Sequence, residues 1–299
     1  MTFDPNRRKA IASMGLAPAL LVPGTLGCMT NQMTKDRSTR QPVGYNINDP
    51  NEQLLIFEKL RGDLSGQLTY SISEGRVFGI RPDLPDELNQ FGKEVIRFYG
   101  CSMRIKRVLD NGNVETKSRS WLLYQHPETG EFIDEMENPY TGEVVEIPPF
   151  RGGISGSVMT PNGPEVSANF KMESTAFNTP LNMVFSQTGP RMHVTRHAFT
   201  KWFEKRSETW RTEMTLDTYD FDADLLNDRS LSHIPSDTHW MSQTSWLSIL
   251  KMSGTPGHML WSTNGRVVFD KSELPAEFIE ATENKQPDIF SQPLNWESE

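Results

Sequence analysis

The sequence predicts an all-β fold with two short helices, and three observations carry that prediction. From about residue 66 to 147, apolar side chains recur at every second position, the period of a half-buried strand. Turn-forming clusters break these runs at short intervals: Asp110-Asn111-Gly112, His126-Pro127-Glu128-Thr129-Gly130 and Asn138-Pro139-Tyr140-Thr141-Gly142. Nothing between 62 and 282 reads as a linker, a repeat or a low-complexity block, so one β-rich domain over 49–282 is predicted.

The chain begins differently. Arg7-Arg8-Lys9 is a basic patch, and Ala10 to Leu21 is a mildly apolar stretch interrupted by Gly15 and Pro18. Leu26-Gly27-Cys28 follows. A paired arginine before a mild apolar stretch resembles a bacterial twin-arginine export signal, and the last three residues resemble a lipoprotein cleavage site with Cys28 as the acylated residue. Residues 1–28 are therefore expected to be an export signal, the mature protein to reside in the periplasm or cell envelope, and membrane attachment to run only through Cys28. Removing 1–28 takes away three bases and one acid, leaving 27 basic and 38 acidic side chains, a net charge of −11 against −9 for the whole chain. So acidic a surface argues against nucleic acid as a partner. With Cys28 gone or lipidated, Cys101 has no partner for a disulfide, and its place in an alternating apolar run reads as a small buried hydrophobe.

Residues 29–48 are polar and read as a tether. Asp49-Pro50-Asn51-Glu52 places an N-cap, a proline at the first helical position and a glutamate three residues after the cap, so a helix starts there and runs to Gly62. Leu68–Ile72 and Arg76–Ile80 are expected to flank a hairpin turn at Ser73-Glu74-Gly75. In the long run Glu94–Val108, Arg97, Tyr99, Cys101 and Met103 share one face, and Phe98, Gly100, Ser102 and Arg104 share the other. Val114–Tyr124, Glu131–Met136 and Glu143–Ile147 continue the meander. In the second half, the candidate strands are 165–172, 182–187, 192–199, 208–221, 239–250 and 259–269, the last around a turn at Thr263-Asn264-Gly265. Ser272–Thr282 is expected to be helical, with Ser272 as cap, and 283–299 a polar tail over the surface.

Ten or more antiparallel strands must hide their edges. Closing the meander into a lipocalin-like or calycin-like barrel does so completely, and an eight-stranded or larger barrel encloses room for one small ligand. A curved open sheet or a β-sandwich is the alternative.

Gly62–Gly79, the phrase LYQHPETGEFIDEMENPYTGEVVEIP within 122–148 and the phrase WLSILKMSGTPGHMLWSTNGRVVFDKSELP at 246–275 resemble a mostly bacterial family, domain of unknown function 1838. The resemblance covers about 50–282 and is most specific at Pro127–Gly142 and Trp246–Pro275. It implies an exported, β-rich single domain and carries no established reaction.

The residues that could carry chemistry form no familiar set. There is no G-x-G-x-x-G, no phosphate-binding loop, no G-x-S-x-G and no H-E-x-x-H, so no cofactor is expected. In Asp220-Phe221-Asp222-Ala223-Asp224, the central glycine and distal glutamate of a calcium loop are missing. His193 and His197 would be neighbours on a helix, but Val194 and Thr195 point to a strand. On a strand they lie about 13 Å apart, too far to share a zinc ion, so no metal is expected. Arg97 and Arg104 stand on opposite faces, so one of them faces inward, and an inward arginine needs a carboxylate from the chain or from a ligand. Trp121, Tyr140 and Trp210 are candidates to line an apolar cavity. Together these suggest a cofactor-independent lyase, isomerase or hydratase acting on a small apolar or aromatic molecule. In it His193 or His197 moves the proton, Tyr99 assists and Arg97 holds an anion. The alternatives are a periplasmic carrier that binds a hydrophobic ligand unchanged, and an envelope structural protein with a filled interior.

Overall fold

A computed structural model describes residues 44–84, 92–166, 181–204, 209–292 and 294–296, with the backbone alone at Val166 and at the strand residues within 200–211. The predicted export signal and Cys28 lie outside the described residues. Helix α1 (Pro50–Leu60) leads into strands β1 (Thr69–Ile80), β2 (Lys93–Val108), β3 (Val114–Gln125), β4 (Glu135–Glu137), β5 (Val144–Glu146), β6 (Phe150–Arg151), β7 (Ser155–Thr160) and β8 (Gly163–Val166). Strands β9 (Met183–Thr188), β10 (Arg191–Glu204), β11 (Thr209–Asp222), β12 (Asp237–Thr244) and β13 (His258–Val268) follow, and helix α2 (Ala276–Lys285) ends the fold.

Eleven strands form one antiparallel sheet in the order β8-β7-β3-β2-β1-β13-β12-β11-β10-β9, with β6 also on β3, while β4 and β5 pair apart. Two meanders are thus joined where β1 meets β13. The hydrogen-bonded path is open: among the described residues no pair joins β8 to β9.

Two expected hairpin turns are not turns. Strand β1 runs straight through Ser73-Glu74-Gly75 and β13 straight through Thr263-Asn264-Gly265, and the two stretches pair with each other, Gly75 opposite Thr263 and Ser73 opposite Gly265. The glycines are there for close approach. A Cβ on Gly75 would stand 2.7 Å from Thr263 Cγ2 and 2.8 Å from the Phe98 ring, and one on Gly265 would stand 2.6 Å from the Ile72 carbonyl oxygen. Glycine inside a strand often marks such close approach or a bend. Other expectations shift or fall outside the described residues. Strand β12 stops at Thr244, ahead of a turn of 3-10 helix over Ser248–Leu250. The expected strand 165–172 lies largely outside the described residues. Asp270, not Ser272, caps a short 3-10 turn with Glu273 in a capping box, and α2 begins afterwards at Ala276 behind Pro275. At α1, Asp49 caps as expected, accepting the Asn51 N–H at 2.9 Å, while Glu52 accepts from Asn46 N–H and Arg229 instead of completing a box.

The sheet is strongly curled. Strands β2 and β12 are three places apart, about 14 Å in a flat sheet, yet the Phe98 and Trp240 ring centroids are 6.3 Å apart. Val114 and Met159 from β3 and β7 share one apolar cluster with Met192, Val194, Tyr219 and Phe221 from β10 and β11. Leu54, Ile56, Phe57 and Leu60 of α1 fill that cluster. Each of these four is essentially fully buried, which stabilises the fold by about 1.5–3 kcal/mol per side chain. The helix therefore plugs one end of the concave side. The β4–β5 hairpin, through Met136, Val145 and Ile147, joins Trp246, Leu250 and Met252 in closing the other end against Val77, Phe98, Met259 and Trp261. The convex side of β1, β2 and β3 is covered by α2 and the segment after it, where Phe278, Ile289 and Leu294 pack on Tyr70, Ile72, Cys101, Met103 and Trp121. The predicted surface tail is thus held by buried anchors.

Candidate functional site

Between the two plugged ends the concave face leaves a groove with a cavity of about 300 Å³, at the lower end of the range for small-molecule sites. Phe98, Leu122 and Trp240 supply apolar wall, and Ser71, Ser73, Ser102, Ser120, Thr215 and Thr238 supply hydroxyls. They come from β1, β2, β3, β11 and β12, so the curl of the sheet is what brings them together. Trp240 stacks on Trp261 at 6.2 Å, and Trp261 meets Phe98 edge-on at 5.1 Å, which holds the aromatic wall in place. Gly100 and Gly265 keep the floor low.

Polar groups crowd the α1 end. Lys106 is buried and donates to the Glu58 carboxylate at 2.6 Å and to the Glu58 carbonyl at 2.7 Å. Burial works to raise the Glu58 carboxyl, but the charges of Lys106 and Arg61 outweigh it and hold it below the usual range. Arg61 lies 3.4 Å from Glu58 and keeps 31% side-chain exposure, and it lines the groove. Arg196 pairs with Asp217 at 2.6 Å. The guanidinium carbons of Arg61 and Arg196 lie 4.7 and 4.9 Å from the Phe57 ring centre. Arg104 also lines the groove and donates to the Arg61 carbonyl at 3.2 Å. Among the described residues it has no carboxylate within ion-pair distance. Burial, with the Arg61 charge beside it, pushes its guanidinium down to about 10, which leaves it charged at neutral pH. Towards the other end, Glu213 accepts from Ser242 Oγ at 2.6 Å and from Thr215 Oγ1 at 3.1 Å.

Of the sequence-predicted residues, Trp121 borders this groove, and the others fall in other places. Arg97 and Tyr99 do come together, at a hollow of about 490 Å³ on the convex side with Glu74, Arg76 and Gln125. There Arg97 donates to Glu94 at 2.5 Å and Tyr99 lies 3.4 Å from Glu277. Burial and the charges of Glu74 and Glu277 push the Tyr99 hydroxyl up to about 12. His193 and His197 stand on β10, five places along the sheet from β2, on the convex side; His193 meets Asp220 at 2.6 Å and His197 is exposed. Trp121 does border the groove from β3, while its ring is buried beneath α2, stacked on Phe278 and donating to Thr282 Oγ1 at 3.2 Å. Tyr140 packs on Trp246 at 5.6 Å and donates to the Gly79 carbonyl at 2.7 Å. Trp210 lies where only the backbone is described. Of the two arginines on opposite faces of β2, Arg104 is the inward one. Cys101 is buried, and burial pushes its thiol up. Among the described residues no group of three or more His, Cys, Asp or Glu gathers where a metal could sit.

Arg61, Glu213 and Asp217 were not legible as site residues, though β11 carried a signal. It places Glu213, Thr215, Asp217 and Tyr219 on the concave face, and Met214 and Leu216 on the convex one, with Met214 57% exposed. Over 213–217, polar residues facing in and apolar ones facing out invert the usual alternation of a half-buried strand, which Tyr219 and Phe221 restore beneath α1. That inversion marks a polar interior.

The comparisons with known proteins add kinship without chemistry. The family model described as "Protein of unknown function (DUF1838)" matches residues 66–299. No curated protein matches the chain.

Proposed function

Because the chain belongs to the family of proteins of unknown function designated DUF1838, whose description names no activity, we propose its function from its own groove: it binds a small apolar or aromatic molecule on the concave side of the curled sheet. The observation that carries this reading is the cavity of about 300 Å³ walled by Phe98, Leu122 and Trp240 and edged with serine and threonine hydroxyls. A structural protein with a filled interior has no use for such a space. Binding without turnover is the leading form of the proposal, because His193 and His197 stand on the opposite side of the sheet from the groove.

A lyase, isomerase or hydratase without cofactor is the second reading, favoured by Glu213. Its carboxylate lines the groove, held by two hydroxyls, and among the described residues no cation pairs with it. A carboxylate so placed is suited to moving a proton. Two further elements belong to the proposal. Export to the periplasm or cell envelope is supported by Arg7-Arg8 and the stretch Ala10–Leu21. A fully closed, lipocalin-like barrel is supported by the approach of the sheet's two ends, where the Leu181 N–H donates to the Pro161 carbonyl at 3.3 Å.

The test is native mass spectrometry of protein purified from its host's envelope. A bound organic mass that leaves on denaturation, and that is missing from Leu122→Trp protein with a filled groove, is the expected result. Equal ligand content in both proteins refutes the groove as the site. The intact mass reads the export proposal at the same time: a chain starting at Cys28 with acyl groups agrees with it, and a chain retaining Met1 does not.

A further inference from the structure

We propose that the ligand of this groove is an organic acid whose anionic group, a carboxylate or sulfonate, is held by Arg104 and Arg61 at the α1 end while its apolar body lies against Phe98 and Trp240. This rests on the groove being the binding site and adds the chemical class of what it binds.

The charge arrangement leads there. Arg61, Arg104, Arg196 and Lys106 cluster around Glu58 and Asp217. Lys106 and Arg61 share Glu58, and Arg196 takes Asp217. Both carboxylates are therefore held in direct ion pairs, and the half-buried Arg104, drawn to Glu58 only at longer range, makes its hydrogen bond to a peptide carbonyl. A cation even partly withdrawn from water gains from a paired anion. Arg104 is not idle packing either, since it lines the cavity with Arg61. Two guanidiniums side by side on one wall form a fork that suits a planar or tetrahedral oxyanion, with several N–H donors converging. Ser102, two residues before Arg104 on the same face, and Ser120 opposite it are hydrogen-bonded to each other at 2.5 Å, which leaves one hydroxyl proton of the pair to donate to the same anion.

The groove also carries opposite signs at its two ends. Glu213 and Asp217 sit four residues apart along one face of β11, about 13 Å of strand, and Asp217 lies in the arginine cluster. An acid that entered in reverse would set its anion against the Glu213 carboxylate. The arrangement therefore fixes orientation as well as charge, with the anion innermost beneath α1 and the apolar body toward the aromatic wall.

The experiment compares two fluorescent probes with the same apolar body. One is 8-anilinonaphthalene-1-sulfonate, which is anionic, and the other is N-phenyl-1-naphthylamine, which is neutral. The expected result is that the anionic probe binds wild-type protein at least tenfold more tightly, and that the advantage shrinks as salt is raised. Arg104→Met removes the advantage and leaves the neutral probe within about twofold. Arg104→Lys restores part of it, and Leu122→Trp abolishes binding of both probes. Equal affinity of the two probes for wild-type protein overturns the acid proposal and leaves the groove reading standing. So does an unchanged preference in an Arg104→Met protein whose circular dichroism matches wild type. Failure of both probes to bind, or unaltered binding of both to the filled-groove variant, overturns the groove reading and the acid proposal with it.

Discussion

Gly265 sits at the centre of the sheet, where a Cβ would press on the Ile72 carbonyl oxygen at 2.6 Å and on Ser73 Cβ at 3.2 Å. A backbone oxygen in the middle of a ladder cannot step aside, so Gly265→Ala is expected to destabilise the protein by about 1–3 kcal/mol. Urea unfolding reads this directly, and an unchanged midpoint would show that the strands can part. Asp63 gives the second test at this scale. Burial alone would raise its carboxyl, but hydrogen bonds from Ser232 Oγ, Ser65 Oγ and the Ser65 N–H outweigh burial and hold it below the usual carboxylate range. Its folded pKa lies below the unfolded value of about 3.9. The stability it contributes is therefore fully present above that value and lost as pH falls through the folded one. Asp63→Asn should lower stability at pH 7 by about 1–3 kcal/mol. Its stability should also fall less steeply than wild type between pH 5 and pH 2, and parallel acid profiles would count against the assignment. Single residues were also where the sequence misled. Ser73-Glu74-Gly75 and Thr263-Asn264-Gly265 carry turn chemistry, and only their pairing across β1 and β13 reveals crowding instead.

Elements were legible where one local rule governs them. The cap and proline at Asp49-Pro50 set the start of α1, and period-two alternation set β2 and β3, because both signals act within a few residues. The covering of the convex side was not legible in the same way. Helix α2 looks short and polar in sequence, yet Phe278 is completely buried between it and the sheet, and Trp121 stacks on that ring. Replacing Phe278 with alanine is expected to cost about 3–5 kcal/mol. It should also open a path to Cys101, which lies in the same cluster. Wild-type protein should react slowly with a thiol reagent under native conditions, because a buried thiol with a raised pKa offers little thiolate. Phe278→Ala should react at least tenfold faster. Equal rates would mean that α2 is not what shields the convex face. Strand β11 teaches the complementary lesson, since its inverted alternation is visible in the sequence and gains meaning only once Met214 is known to face outward.

At the scale of the whole molecule, curvature is the property that makes a site. Ser102, Ser120, Thr215 and Trp240 belong to strands that sequence reasoning treats one by one, and no local signal says that β3 and β11 face each other across a cavity. Long-range closure depends on the summed twist and bend of many strands, with Gly75, Gly100 and Gly265 relieving crowding at its centre. The inward arginine was foreseen as a choice between Arg97 and Arg104, because alternation fixes opposite faces without saying which face becomes the interior. Hydrogen exchange tests the same global property. Strands β1, β2 and β13 lie in the middle of the hydrogen-bonded path and should exchange most slowly, near the global unfolding free energy. In an open sheet the outward amides of β8 and β9 have no strand partner and should exchange within the dead time of the experiment. In a closed barrel they should be protected to a similar degree as those of β7 and β10. Closure predicts the second pattern, and with it a groove that, among the described residues, opens beside the α1 and β4–β5 plugs. Fast exchange confined to β8 and β9 would instead leave the concave face open along one flank, and the ligand could then enter sideways past Pro161 and Leu181.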